Sequence, residues 1–125
     1  MDLDDLHGDT LESARRGNLI SRSNALTEQG TQVPGDAAHA VYHDVLTGSR
    51  SDGRAFQGSV DHTCHNWTYG GPDGAPQVGH WDRDSKYFGL SWNSAHAAPG
   101  CSVDRLALSG GKGLLYCFAA DKAPD

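Results

Sequence analysis

The second half of this chain constrains its fold most, because short apolar or aromatic runs alternate there with turn-forming residues. All three cysteines and all three tryptophans lie between Cys64 and Cys117. Gly, Pro, Asn or Asp flanks each run, and no run is long enough for an extended helix. The pattern therefore predicts short strands joined by long ordered loops. The predicted strands are Cys64–Thr68, Gln77–Trp81, Gly89–Asn93 and Leu114–Ala119.

The first half opens with a polar lead-in over residues 1–30. Within it, Leu3, Leu6 and Leu11 have roughly helical spacing, which predicts one short helix. Gly17 suits the left-handed cap position at the end of that helix.

Three further elements follow from local chemistry. Val41–Thr47 reads as a strand, with His43 on one side and Asp44 on the other. Asp52-Gly53 predicts a tight turn. Ser102–Leu108 predicts one or two helical turns, with Ser102 as the N-cap.

Composition limits the class of protein. A length of 125 residues fits one domain, with a strand and loop core over residues 41–121. The apolar fraction is only 37%, and 16 residues are glycine. A core this modest calls for a covalent or metal staple. The net charge of −6, without a basic patch, argues against nucleic acid as a partner.

Membrane and export signals are also informative. No apolar run approaches the length needed to span a bilayer. The first six residues, Met1 to Leu6, lack the positive charge and apolar stretch of a signal peptide.

The cysteine pattern by itself leaves alternatives open. In a secreted protein an odd count predicts either one disulfide and a remaining thiol, or a disulfide to another chain, whereas in a cytosolic protein all three thiols would be reduced. No Cys-x-x-Cys occurs, so the spacings do not match a zinc finger.

Six segments of the chain carry a resemblance to a known family: Asn24–Gly30, Leu46–Ser49, Cys64–Thr68, Val78–His80, Ser91–His96 and Gly113–Ala120. They resemble bacterial secreted proteins of the endostatin-like branch of the C-type-lectin-like fold. That branch is related to the C-terminal endostatin domain of vertebrate collagens. The resemblance covers residues 20–120 and is strongest in the second half.

The resemblance implies an α+β fold with short mixed or antiparallel strands, long ordered loops and few short helices. It also implies a disulfide between Cys64 and Cys101. In this fold the position of Cys117 pairs with a cysteine near the start of the domain, which this chain lacks, so the fold's first part is expected to be missing and Cys117 to be unpaired. We expect that thiol to be buried and inert. An extracellular or periplasmic location follows from the same resemblance.

Trp92-Asn93 matches part of the Trp-Asn-Asp triplet with which sugar-binding C-type lectins bind calcium. Ser94 stands where that triplet has its Asp. Calcium prefers six to eight oxygen ligands, often carboxylates, so a lectin-type calcium site is not favoured. We expect Trp92 to pack in the core and Asn93 to hold loop backbone.

His80, Asp82 and His96 form a second constellation. Two imidazoles and one carboxylate can bind zinc or act as general acid and base, provided that neighbouring strands bring them together. The alternative is that these histidines bond loop carbonyls. No cofactor is certain from the sequence, although calcium or zinc is possible.

Aromatic residues near loop ends indicate a ligand surface, because aromatic faces stack on sugar rings and polar neighbours supply directional hydrogen bonds. Trp67 and Trp81 are assigned to the core. The candidate binding residues are Tyr69, Asp73, Tyr87, Phe88, Trp92 and Asn93.

The sequence therefore favours a non-catalytic extracellular module that binds carbohydrate or a protein surface through its loops. Two alternatives remain: a structural or matrix-interaction module, and a metal-dependent enzyme that uses His80, Asp82 and His96.

Overall fold

The strands of this protein are short because turn-forming residues interrupt each apolar run. The computed structural model describes residues 20, 25–34, 42–82 and 91–118. Over these ranges the fold is mixed α+β, as predicted, with one four-stranded sheet and two short helices. The elements in chain order are β1 (Asp44–Leu46), α1 (Cys64–Trp67), β2 (Gln77–His80), β3 (His96–Ala97), α2 (Val103–Ala107) and β4 (Gly111–Leu115). The C-type-lectin-like assignment stays a prediction.

The sheet has the strand order β3-β2-β1-β4. β1 is antiparallel to β2 and parallel to β4, and β2 is antiparallel to β3. Asp44 pairs with His80 across β1 and β2, while Val78 pairs with His96 across β2 and β3. Directly paired residues share a sheet face, and so do residues two apart on a strand. Asp44, Val78, His80 and His96 therefore lie on one face.

An apolar cluster lies on that same face, which we call the core face. Val78, Ala98 and Leu106 form a buried cluster, and Leu46 packs against it. Leu106 comes from α2, whose N-cap is Ser102, as predicted: the Ser102 hydroxyl accepts a hydrogen bond from Arg105 N–H at 3.4 Å. Among the described residues this cluster is small.

The opposite face carries Trp92 and Asn93. A Cβ at Gly79 would lie 1.7 Å from the Trp92 carbonyl oxygen, so glycine is required for this segment to cross β2. Trp92 is buried, and the Asn93 amide donates to the carbonyl oxygens of Arg50 and Ser51 at 3.1 and 3.3 Å. The prediction that Trp92 is core and that Asn93 holds loop backbone is confirmed.

The segment Cys64–Trp67 forms a helical turn, so the strand predicted over Cys64–Thr68 is wrong. All four residues have left-handed φ values between +51° and +64°. That conformation costs about 1–2 kcal/mol per non-glycine residue. The Asp61 carboxylate helps to hold it by accepting hydrogen bonds from Thr63 N–H at 2.8 Å and His65 N–H at 2.6 Å. Local capping thus overrides the strand preference of this apolar run.

Several other predictions need correction. Trp67 was assigned to the core, yet it is 39% exposed at the end of α1. Cys117 is unpaired, as expected, but it is exposed rather than buried. Strand β4 begins at Gly111, earlier than the predicted Leu114, because it pairs in parallel with β1 there. It ends at Leu115, so residues 116–118 of the predicted strand are not part of it.

The other predicted helices and strands agree with the structure only in part. β2 agrees with its prediction, and β3 was missed because two residues give no pattern. Ser91–Asn93 is not a strand, and the rest of the predicted strand Gly89–Asn93 lies outside the described residues. The lead-in helix before Gly17 also lies outside them. None of the helices in the described ranges has the length and apolar character to cross a bilayer.

The disulfide between Cys64 and Cys101 is present, as the resemblance implied. It joins the start of α1 to the loop that precedes α2, with a sequence separation of 37 residues. The bridge therefore fixes one end of the left-handed turn covalently.

Replacing both bridge cysteines should destabilise the protein. For a closed loop of this length, the chain-entropy model gives about 4 kcal/mol. We expect Cys64→Ala/Cys101→Ala to lower the free energy of unfolding by about that amount, measured by urea denaturation without reductant. The exposed, unpaired Cys117 provides the control, because Cys117→Ser should change stability by less than about 0.5 kcal/mol. A titration that finds three free thiols in the oxidised protein would contradict the assignment.

Candidate metal centre

The sheet register brings acidic and imidazole side chains together at one end of the core face. Asp44 on β1 lies directly opposite His80 on β2, and His96 on β3 lies on the same face. His43 precedes β1, and Asp82 follows Trp81 at the end of β2. We call these five residues the His–Asp cluster: His43, Asp44, His80, Asp82 and His96.

The Asp44 carboxylate is at the centre of the cluster. Its side chain is 1% exposed, and its Oδ1 lies 3.2 Å from Nε2 of His80 and 3.4 Å from Nε2 of His96. The Ser109 hydroxyl, just beyond α2, donates to Asp44 Oδ2 at 2.9 Å. The imidazole of His80 is fully buried and that of His96 is 16% exposed. One buried carboxylate thus meets groups from β2, β3 and the end of α2.

His43 and Asp82 form a closer pair. Nδ1 of His43 lies 2.7 Å from Oδ1 and 2.8 Å from Oδ2 of Asp82. Their side chains are only 11% and 6% exposed. The His43 ring also contacts the His80 ring, with centroids 3.7 Å apart. This pair is therefore joined directly to the rest of the cluster.

His43, Asp44 and His80 can each offer one ligand atom, and these atoms all lie within 4.8 Å of one another. This spacing is close enough for the three residues to hold one metal ion. The donors are imidazole nitrogens and a single carboxylate, a set that suits zinc and other first-row transition metals. Calcium prefers six to eight oxygens, which the cluster does not offer.

The structure brings together two of the three residues predicted as metal ligands and places the third elsewhere in the cluster. His80 and His96 do lie together, with ring centroids 5.1 Å apart. The carboxylate between them is Asp44, whereas the predicted Asp82 lies against His43. Sequence reasoning missed Asp44, His43 and Ser109 as members of the site. The adjacent His43-Asp44 pair in a predicted strand was the available signal.

The predicted binding residues are divided between two surface cavities. Tyr69 and Asp73 line a cavity of about 400 Å³, together with Asp61 and His65. Trp92 and Asn93 line a second one of about 280 Å³. Tyr87 and Phe88 lie outside the described residues. No single site therefore unites the binding residues that the structure describes.

The pKa values of Asp44 and His96 shift in opposite directions. Burial raises the pKa of Asp44, but its contacts with His80, His96 and Ser109 outweigh burial and bring it below the usual 3.8. The contact with Asp44 raises the pKa of His96 above the usual 6.5, although partial burial opposes it. The two side chains thus hold opposite charges at mildly acidic pH.

The stability of the metal-free protein should follow these two shifts. The contribution of the Asp44–His96 pair is complete between pH 3.8 and 6.5. It is lost as the pH falls through the lowered pKa of Asp44, and as the pH rises through the raised pKa of His96. Urea denaturation in excess chelator across this range should show both losses. His96→Gln should remove the alkaline one, and an unchanged alkaline loss in that variant would contradict the assignment to His96.

Comparisons with known proteins assign this chain to no family. No protein-family model, no curated protein and no solved structure matches it. The resemblance to endostatin-like proteins therefore stays a prediction, and what the protein does has to be argued from its own side chains.

Proposed function

We propose that this protein binds a divalent transition metal, with zinc as the best match, at the His–Asp cluster. The observation that carries the proposal is the spacing around Asp44. Its Oδ1 lies 3.2 Å from Nε2 of His80, and His43, Asp44 and His80 can each place one ligand atom within 4.8 Å of the others. Two ligand atoms that share a tetrahedral zinc ion at 2.0–2.1 Å are separated by about 3.3 Å.

A plain ion pair explains these distances less well. Charge-assisted N–H···O contacts are typically about 2.7–2.9 Å long. The same molecule supplies the comparison, because His43 and Asp82 lie 2.7 Å apart. The contacts of Asp44 with His80 and His96, at 3.2 and 3.4 Å, are longer than that pair.

The surroundings of Asp44 also support metal binding. Isolating a carboxylate from water is costly unless charge or hydrogen bonds compensate it. A divalent ion held by His43, Asp44 and His80 would supply that charge. Ser109 meanwhile donates to Oδ2, which leaves Oδ1 directed at the histidines. Hydrogen-bonded carboxylates of this kind recur around protein metal sites, where outer groups orient the ligands.

Zinc binding can be tested on the whole chain. We expect the purified, demetallated protein to take up one equivalent of Zn²⁺ in native mass spectrometry, with the affinity measured by competition against a chromophoric chelator. Asp44→Asn and His80→Gln should each weaken binding by more than tenfold, because each removes a ligand.

The matched control is His65→Gln. His65 is exposed and contacts Asp61 near α1, outside the cluster, so this variant should bind zinc as the unaltered protein does. Circular dichroism of each metal-free variant checks that it is folded. If the unaltered protein retains no zinc in the competition assay, the proposed function is wrong.

A second candidate function is carbohydrate binding, and the cavity lined by Tyr69 and Asp73 favours it. The Tyr69 ring and the carboxylates of Asp61 and Asp73 border one concavity, in which a sugar could stack and donate its hydroxyl hydrogens. The cavity of Trp92 and Asn93 is less suitable, because the Asn93 amide already donates to loop carbonyls.

A glycan array tests this second function. Binding that persists in chelator and is lost in Tyr69→Ala would support it, because this cavity contains no part of the His–Asp cluster. Phe118→Ala, in the other cavity, is the control and should bind equally well. An array with no bound glycan would remove carbohydrate from consideration.

A further inference from the structure

We propose that Asp82 is a positioning residue that fixes His43 as a metal ligand through its Nε2 atom. This inference rests on the proposed zinc site and specifies how that site is built. It gives Asp82 a place behind the ligands, instead of the direct ligand role expected from the sequence.

Asp82 determines the tautomer of His43. Both oxygens of the Asp82 carboxylate lie within 2.8 Å of His43 Nδ1. An ionised carboxylate can only accept hydrogen bonds, so Nδ1 must carry the hydrogen. The lone pair of a neutral His43 ring is then on Nε2, which is the atom free to coordinate a metal. A ligating histidine whose other nitrogen donates to a carboxylate is a recurrent arrangement in zinc sites.

Neighbouring groups determine the orientation of the His43 ring. The Trp81 indole N–H donates to the Tyr42 carbonyl oxygen, which ties the residue before His43 to the residue before Asp82. The His43 backbone N–H donates to the Gly110 carbonyl at 2.9 Å. The ring lies against His80, with centroids 3.7 Å apart. These contacts hold His43 beside Asp82, through the residues that precede the two and through the backbone and ring of His43.

Asp82 lies outside the set of proposed metal ligands. His43, Asp44 and His80 can place one ligand atom each within 4.8 Å of one another, and His96 also reaches Asp44. Because Asp82 uses both of its oxygens on His43, it acts on the metal through that ring. Outer partners of this kind typically change metal affinity by about 10–100-fold when they are replaced.

The test compares zinc affinity in variants of the full chain. Asp82→Asn keeps the size of the side chain but removes its charge, so we expect its zinc affinity to fall about 10–100-fold. In a His43→Ala background the same change should have no further effect, because the ring through which Asp82 acts is gone. Asp104→Asn, on exposed α2, is the matched control and should bind zinc normally. The visible spectrum of bound Co²⁺ should change in Asp82→Asn, which a purely structural role away from the metal would not cause.

A second measurement needs no variant. Long-range ¹H–¹⁵N NMR of the metal-free protein should show His43 as the Nδ1–H tautomer. Observation of the Nε2–H tautomer would overturn the inference.

The outcomes separate this inference from the proposed function. If the unaltered protein binds zinc and Asp82→Asn binds it equally well, Asp82 does not position a ligand, although the zinc site stands. An equal loss with and without His43 would also overturn the inference, since Asp82 would then act on the metal by another route. Failure of the unaltered protein to bind zinc would overturn both.

Discussion

The structure depends on the burial of one carboxylate, that of Asp44. A buried carboxylate needs compensation from several directions, since desolvating an isolated charge costs several kcal/mol. Here the compensation comes from separate parts of the chain: His80 on β2, His96 on β3 and Ser109 beyond α2. A shift of one residue between β1 and β2 would turn Asp44 to the opposite face and lose these contacts. The carboxylate therefore links the sheet register to the docking of α2.

Sequence reasoning succeeded where the determining interaction is local. The N-cap at Ser102 and strand β2 depend on neighbouring residues, and both were predicted. The disulfide came from the family resemblance. Sequence reasoning failed for Cys64–Trp67. Contacts from Asp61 and the bridge to Cys101 impose a left-handed turn there, on a segment with strand-like composition.

The candidate site shows the same division. His80 and His96 were chosen because they carry metal-binding side chains, but the carboxylate between them could not be found by spacing. Asp44 lies 36 residues before His80 in the chain, and only the pairing of β1 with β2 places the two side by side. Asp82 is closer in sequence to His80, yet it contacts His43. Without the strand pairing, nearness in sequence favours the wrong carboxylate.

The two faces of the sheet have separate roles. On one face, Gly79 lets the Trp92-Asn93 backbone pass close to β2, and the side chain of Asn93 is used internally. Its Oδ1 accepts from the Ser91 hydroxyl at 2.9 Å, so both ends of the amide are engaged. Those groups serve the framework. The other face carries both the apolar cluster around Val78 and the His–Asp cluster.

A metal at the cluster would complement the disulfide. Among the described residues, Val78, Ala98 and Leu106 form a small apolar cluster, with Leu46 beside it. The bridge joins Cys64 to Cys101, so it secures α1 and the loop before α2 but crosses none of the strand pairs directly. Two of the proposed ligands, Asp44 and His80, belong to β1 and β2, and the third, His43, immediately precedes β1. One ion would therefore cross-link two strands that the disulfide does not join, and a staple stabilises most where apolar contacts are few.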